Sequence, residues 1–431
     1  MQHTRTVSKS AGLRGEVTIP GDKSISHRAI MFGALANGIT RVSGFLQGED
    51  NYATLKAFRS MGVEITDHGD GSLEIVGAGL HGLREPDDVV DCGNSGTTMR
   101  LMSGLLAGQD FFSVLTGDQY LRRRPMRRVV GPLSEMGAVI DGRNNGELAP
   151  LAIRGGGLNG IEYDSPVASA QVKSALILAG LYADGQTTVT EPHLSRDHSE
   201  RMLRCLGADI ESFAGGVRVT PGQELTARGI DVPGDISSAA FFLVAGLIVP
   251  GSELLIRNVG VNPSRSGIID ILCAMGGRLE LQNQREVSGE PVADILVTSS
   301  RLKGVRIGGE VVPRAIDEFP VISVAAALAE GTTEICDAAE LRVKETDRIA
   351  AIVDELNTLG AGVEARADGM LVTGRETLSG GAVKSHGDHR IAMSMAIAAL
   401  ACRNEVTISD TACTETSFPG FWNILEKVSG A

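Results

Sequence analysis

The sequence predicts an α/β protein of two domains, each assembled from three copies of one repeating unit. Two periodicities carry that expectation. A glycine closing an amphipathic segment recurs at Gly62 (SMGVEI), Gly137 (EMGAVI), Gly207 (CLGADI), Gly276 (AMGGRL), Gly360 (TLGAGV) and Gly430 (VSGA), at separations of 75, 70, 69, 84 and 70 residues. The period is about 72, or six units in 431 residues. The segment Ile19-Pro-Gly-Asp-Lys-Ser also returns 213 residues later as Val232-Pro-Gly-Asp-Ile-Ser, so the two halves repeat as well. The expected domains are residues 21–231, and residues 1–20 together with 232–431, hinged near residues 20 and 232. Solenoid repeats are usually about half this long, whereas units of this size can bury a helix pair on a sheet by themselves.

Within each unit the order is strand, polar turn, helix of small apolar residues, glycine turn, strand and a second, amphipathic helix. The first helices read AIMFGALA, TMRLMSGLLAG, ASAQVKSALILAG, SSAAFFLVAG, FPVISVAAALA and HRIAMSMAIAAL. Ala and Gly permit close approach, so these helices are expected to be enclosed on all sides. The second helices (KAFRSMG, HSERMLRCLG, DRIAAIVDELNTLG) carry charge on one side and are expected to lie half exposed.

Composition narrows the function. The chain is 42% hydrophobic but only 4% aromatic, which predicts a core of Ala, Val, Ile and Leu. A net charge of −13 argues against nucleic acid or an anionic membrane as the main partner, since both require a basic face. Six cysteines without CxxC spacing suit a reducing compartment. The opening MQHTRTVSKSAGLRGEV contains no apolar signal region, and the longest apolar run, near Ala239, is too short to span a bilayer. A soluble, cytoplasmic, monomeric protein is expected.

Polar residues collect where the first helices begin: Asp22-Lys23-Ser24, Asn94-Ser95-Gly96-Thr97, Ser169-Ala170-Gln171, Asp235-Ile236-Ser237, Asp317-Glu318-Phe319 and Asp388-His389-Arg390. Packing of three units about a pseudo-threefold axis would gather three such starts at one end of a domain. Two domains facing each other would then form a cleft lined by six, where exposed N–H groups favour anions. Ser, Asn and Asp also serve as ordinary N-caps. The six sets together with Lys23, Arg28 and Arg390 point instead to anion binding. Arg122, Arg123 and Arg124 precede Pro125, which can occupy the first turn of a helix, and two of the three are expected to be solvated. Lys344 and Arg348 are spaced i, i+4, on one predicted helical face with Glu345 beside them, as an ordinary salt-bridged surface would also be.

Other chemistries fail on spacing. GDKS does not satisfy GxxxxGK[ST], and His386-Gly-Asp-His389 lacks a third ligand or an HExxH partner. There is no GxSxG, no Cys–His nucleophile arrangement and no GxGxxG. No metal and no cofactor is expected.

The ordered segments GDKSxSHR at 21–28, GNSGTTxR at 93–100, LTGD…RRRP at 115–125, SAQVKSA at 169–175, RVKETDR at 342–348, DHRIAM at 388–393 and TSFPGF at 416–421 resemble the 5-enolpyruvylshikimate-3-phosphate synthase family across nearly the whole chain. The resemblance implies two inside-out α/β domains, each of three βαβαββ units. It implies transfer of the enolpyruvyl group of phosphoenolpyruvate to the 5-hydroxyl of shikimate 3-phosphate, a step of aromatic amino-acid biosynthesis toward chorismate. Lys23, Ser24, Arg28, Ser169, Gln171, Ser195, Asp317 and Lys344 would then hold shikimate 3-phosphate. Phosphoenolpyruvate would lie against Lys23, Asn94, Gly96, Arg124, Gln171, Arg348, His389 and Arg390. The catalytic residues implied are Asp317, as base toward the 5-hydroxyl, with Glu345 and Lys23 moving protons.

Some positions depart from the family pattern. Thr416 stands where some members have Lys, so one phosphoenolpyruvate contact is expected either to be missing or to come from Lys384; Glu340 stands where others carry Asn, and Ala170 where others carry Ser. SAQVKSA and EPHLSRDHSERML are similar to a glyphosate-tolerant subgroup, while Gly96 is the residue associated with sensitivity; inhibition by glyphosate is expected. The sister family acting on UDP-N-acetylglucosamine usually carries a reactive Cys in the loop at 117–125, and GDQYLRRRP has none. A non-catalytic anion-binding relative would have no reason to keep Lys23, Asp317, Glu345 and Arg348 together.

Overall fold

Strand pairing, more than chain order, decides which segments fold together. In the computed structural model, which describes residues 3–430, the second repeat shows the complete unit. Strand Val90–Asp91, helix Gly96–Ala107, strand Phe112–Thr116, helix Arg127–Glu135 and strands Val139–Gly142 and Leu148–Arg154 follow in that order. Val90–Asp91 pairs parallel with Phe112–Thr116, which pairs antiparallel with Leu148–Arg154, which pairs antiparallel with Val139–Gly142. This is a βαβαββ unit, and its parallel pair requires the helical crossover between its strands. The third and fifth repeats reproduce the same four-strand order.

The first, fourth and sixth repeats borrow a strand from elsewhere. Ile230–Asp231 completes the sheet of Asn37–Ser43, Arg14–Thr18 completes that of Glu253–Gly260, and Arg5–Val7 joins Val406–Ser409. The chain accordingly divides into two compact units. The first comprises Gly21–Val232 with Val287–Glu290; the second runs up to Pro20 and continues over Pro233–Glu286 and from Pro291 onward. The four-residue tip 287–290 of the hairpin formed by Arg278–Val287 and Glu290–Thr298 therefore belongs to the first unit.

Six helices of small residues form the centres of the repeats: α1 (Lys23–Leu35), α2 (Gly96–Ala107), α3 (Ala170–Gly180), α4 (Ile236–Ile248), α5 (Phe319–Ala327) and α6 (His389–Ala399). They are enclosed as their composition predicts, and α4 buries twelve of its thirteen residues. Small residues are required where α2 meets α3: a Cβ on Gly104 would stand 2.0 Å from the Ala175 carbonyl oxygen. The six repeat-closing glycines all adopt φ between +66° and +99°, the left-handed conformation that terminates the outer helices and that side chains disfavour. Phe241, Phe242, Phe418 and Phe421 meet in the second unit with ring centroids 5.4 to 6.0 Å apart. No helix among the described residues is long and apolar enough to cross a membrane.

Candidate active site

At five of the six inner-helix starts a side chain caps the helix. Asp22, Ser95, Ser169, Asp235 and Asp388 accept from the N–H of Ile25, Thr98, Val172, Ser237 and Arg390. Each cap satisfies an otherwise orphaned donor. Glu318, ahead of α5, makes no such bond. Each cap occupies one acceptor position of its side chain, which leaves the rest of that side chain and the residues beside it for other work.

In the first unit, Lys23 Nζ lies 2.5 Å from Asp50 Oδ2. Ser24 offers its carbonyl to Arg28 Nη1 at 3.0 Å. Arg28 itself is buried, with Nε on the Ser199 hydroxyl and Nη2 on Ser174, both at 2.8 Å. Burial pushes its pKa down to about 10, so it stays charged at neutral pH while tying α1 to α3 and to the helix His198–Cys205. Around α2, Arg124 Nη2 donates to Asn94 Oδ1 at 2.6 Å, and Asn94 Nδ2 donates to Asp118 Oδ2 at 2.6 Å. Arg100 Nη1 donates to Gln171 Oε1 at 2.7 Å, and Gln171 Nε2 donates to Thr97 Oγ1 at 3.1 Å. Gly96 lies between the two guanidiniums: a Cβ there would be 3.0 Å from Arg100 Nη1 and 3.4 Å from Arg124 Nη1. Arg122 and Arg123 are exposed and Arg124 is half-buried, as expected for two solvated arginines of three. Pro125 lies outside the following helix, which begins at Arg127, so it is not the expected first-turn proline. Ser169 begins α3, and Ser195 Oγ donates to Glu191.

In the second unit, Asp317 is ringed by cations. Lys344 Nζ and Arg348 Nη1 are each 3.5 Å from its Oδ1, and Arg265 Nη1 is 3.8 Å from its Oδ2. Arg348 also donates from Nε to Asp388 Oδ2 at 2.8 Å and from Nη2 to Glu345 Oε2 at 2.7 Å. Lys344 and Arg348 do not share a helix as their spacing suggested. Ala339–Val343 is a 3₁₀ turn, Lys344 is extended, and the helix begins at Arg348 with Asp347 as its cap. The break lets both cations reach Asp317. Glu340 pairs with Lys344 at 3.3 Å. His389 and Arg390 open α6, with Arg390 Nη1 3.9 Å from Glu318 Oε1.

Electrostatics follow from this geometry. Burial opposes the charge of Arg348, but Asp388, Glu345 and Asp317 outweigh it and lift its pKa above the ordinary arginine value. Burial also opposes ionisation of Asp388, yet Arg348 and His389 hold its pKa below the usual range. Glu318 goes the other way: its burial outweighs Arg265 and Arg390 and raises its pKa. Sequence reasoning did not single out Arg265, Glu318, Arg100, Asp50 or Glu191 as site residues. Arg100, the last residue of the GNSGTTxR segment, and Glu191, the first of EPHLSRDHSERML, lie in motifs that could have served as a signal.

Paired three-repeat α/β units, with cations and acid–base groups gathered at inner-helix starts, define a class of protein suited to small anionic ligands. The model of the family "EPSP synthase (3-phosphoshikimate 1-carboxyvinyltransferase)" matches residues 7–425, and the chain belongs to that family. It is 69% identical over 417 residues to the 3-phosphoshikimate 1-carboxyvinyltransferase of Geobacter sulfurreducens, covering 97% of each chain. It is 67% identical over 423 residues to that of Citrifermentans bemidjiense, covering 98% of each. The solved EPSP synthase from Acinetobacter baumannii superposes with a TM-score of 0.90 at 47% identity, over 99% of this chain and 98% of that one.

Proposed function

We propose that the protein transfers the enolpyruvyl group of phosphoenolpyruvate to the 5-hydroxyl of shikimate 3-phosphate, with release of inorganic phosphate. The observation that carries this reading is the Asp317 carboxylate with three cations within 3.8 Å, one of which, Arg348, also holds Glu345. Opposite charges this close favour the ionised form of a carboxylate, the form that accepts a proton. Asp317 takes the 5-hydroxyl proton as that oxygen bonds to C2 of phosphoenolpyruvate, and a proton is delivered to C3. The resulting tetrahedral adduct loses one methyl proton as its C2–O bond to phosphate breaks. Glu345 and Lys23 carry the protons at C3. Shikimate 3-phosphate is held by Lys23, Ser24, Ser169, Gln171, Ser195 and Lys344, with Arg28 supporting Ser24 from within. Phosphoenolpyruvate is held by Lys23, Asn94, the Gly96 backbone, Arg124, Gln171, Arg348, His389 and Arg390. Arginine suits bidentate grip on phosphate and carboxylate, and lysine can also move protons. The enzyme acts as a cytoplasmic monomer without a metal or cofactor.

The test is phosphate release from phosphoenolpyruvate, with shikimate 3-phosphate and UDP-N-acetylglucosamine offered in parallel. Release with shikimate 3-phosphate alone is expected. Release with the nucleotide sugar alone, or with neither from folded protein, overturns the reading.

A further inference from the structure

The segments SAQVKSA and EPHLSRDHSE hold charged residues that the proposed reaction leaves unused, and in the first unit those residues meet. Lys173, on α3, is 3% exposed. Its Nζ lies 2.9 Å from Glu191 Oε2 and 2.9 Å from Glu200 Oε1, and donates to the Ser195 carbonyl at 3.3 Å. An ammonium has three protons, and these three acceptors account for them, so Lys173 keeps no donor for a ligand.

Glu191 extends the contact to two substrate-facing serines. Its carboxylate accepts from the Ser169 backbone N–H at 2.9 Å and from the Ser195 hydroxyl at 2.7 Å. Ser169 Oγ accepts from the Val172 N–H at 3.5 Å, which leaves its own O–H available to donate outward. The Ser195 O–H is committed to Glu191 and must exchange that partner to donate to a phosphate.

We propose that Lys173 and Glu191 form a positioning pair that sets Ser169 and Ser195 for shikimate 3-phosphate, Lys173 fixing Glu191 and Glu191 holding both serines. This assignment rests on the function proposed above. Two roles converge on the lysine. It orients the clamp, and it offsets the charge of two buried carboxylates beside an incoming dianionic phosphate. Burial opposes the Lys173 charge, but Glu200 and Glu191 overcome that and raise its pKa. Glu200 is raised by its own burial despite Lys173, and its Oε2 has no hydrogen-bond partner among the described residues. Without the ammonium, phosphate would meet two unscreened acidic groups and a clamp free to turn.

The experiment is calorimetric titration of the full-length protein with shikimate 3-phosphate alone, alongside KM for each substrate. Lys173→Met is expected to weaken shikimate 3-phosphate binding roughly tenfold or more, since it removes charge-assisted hydrogen bonds and leaves unpaired buried groups. KM for phosphoenolpyruvate at saturating shikimate 3-phosphate should stay within about twofold, and Lys173→Arg should recover part of the affinity by restoring the charge. If Lys173→Met does not fold, Glu191→Gln decides by the same readings, because it keeps an acceptor for the serines but loses the attraction to Lys173. A lowered melting temperature with both substrate parameters unchanged would assign the pair a structural role only and overturn the proposal. Wild-type protein that fails to bind shikimate 3-phosphate overturns the function and this inference together. Wild-type binding with unaltered variants overturns this inference alone.

Discussion

Arg348 Nε donates to Asp388 Oδ2 at 2.8 Å with both side chains at most 1% exposed, and Asp388 Oδ1 accepts the Arg390 N–H at 2.8 Å. One carboxylate thus caps α6 and anchors the guanidinium that reaches Asp317 and Glu345. Asp388→Asn leaves that guanidinium less compensated, and breaking a buried pair typically costs about 3–5 kcal/mol. The expected outcome is a lower urea midpoint together with a higher KM for phosphoenolpyruvate. The sign of the pH effect follows from Asp388's lowered pKa. Its stabilisation is fully present above the unfolded value of about 4 and is lost as pH falls. The variant has none of it to lose, so its deficit relative to wild type should shrink in acid. A deficit that grows in acid would contradict this account.

Lys23 sits at the first position of α1 with its ammonium 2.5 Å from Asp50 Oδ2. Positioned proton transfer contributes roughly 10² to 10⁴ in rate. Lys23→Met should therefore reduce kcat by about 10² or more while leaving the melting temperature close to wild type. Retention of more than about a tenth of the activity would remove Lys23 from the proton-transfer steps.

The repeat architecture was legible because each copy ends on a glycine that must adopt positive φ, and a backbone requirement leaves a residue-level trace. The enclosed inner helices were legible for a similar reason, since only small side chains fit where Gly104 meets Ala175. Which strand completes which sheet was less so. Ile230–Asp231 and Arg14–Thr18 find their partners by spatial pairing that periodicity along the chain does not encode. Within the candidate site, the motif residues Asp317, Lys344, Glu345 and Arg348 do converge, but the helical spacing assumed for Lys344 and Arg348 was not the cause. The chain breaks at Lys344, and both cations arrive at Asp317 from different elements. A buried partner such as Arg265 left no local signal, because Asp235, Ser237 and Asp317, which it contacts, lie far away in sequence.

His27 offers a test of pH dependence that is independent of substrate. Thr98 Oγ1 donates to Ser95 Oγ, so the Thr54 hydroxyl, 2.7 Å from Thr98 Oγ1, must donate to it, and His27 Nδ1, 2.7 Å from Thr54 Oγ1, must carry the proton. Burial pushes the His27 pKa down from 6.5 to about 3. The folded state then binds fewer protons than the unfolded one, so this contribution is complete above about pH 6.5 and declines toward pH 3. Between pH 7.5 and 5.0 it should fall by about 2 kcal/mol. Urea unfolding of His27→Asn, which keeps a donor near the Nδ1 position, should show an acid-side loss smaller by about that amount. Equal losses in both proteins would mean that His27 titrates normally in the fold.

Gly96 is the position where one methyl group tests the anion site most directly. A Cβ there stands 3.0 Å from Arg100 Nη1 and 3.4 Å from Arg124 Nη1, the first closer than ordinary van der Waals contact. Arg100 has little room to yield, because Nη1 is held by Gln171 Oε1 at 2.7 Å and Nη2 by the Pro125 carbonyl at 3.1 Å. Arg124 is held by Asn94 Oδ1 at 2.6 Å. Gly96→Ala should therefore shift the Arg100 guanidinium by a few tenths of an ångström and place a methyl, in contact with Arg124 as well, where a small anion would approach the two. Misplacing one charge-assisted contact costs about 1.5 kcal/mol, which corresponds to roughly a tenfold rise in KM for phosphoenolpyruvate. Binding of shikimate 3-phosphate alone should change less than that of phosphoenolpyruvate, since of the residues assigned to it only Gln171 touches the displaced Arg100. Glyphosate should inhibit the wild-type protein in competition with phosphoenolpyruvate and inhibit the alanine variant more weakly. An unchanged KM for phosphoenolpyruvate would place that substrate away from Gly96, and a parallel loss of shikimate 3-phosphate binding would show that the methyl disturbs α2 as a whole.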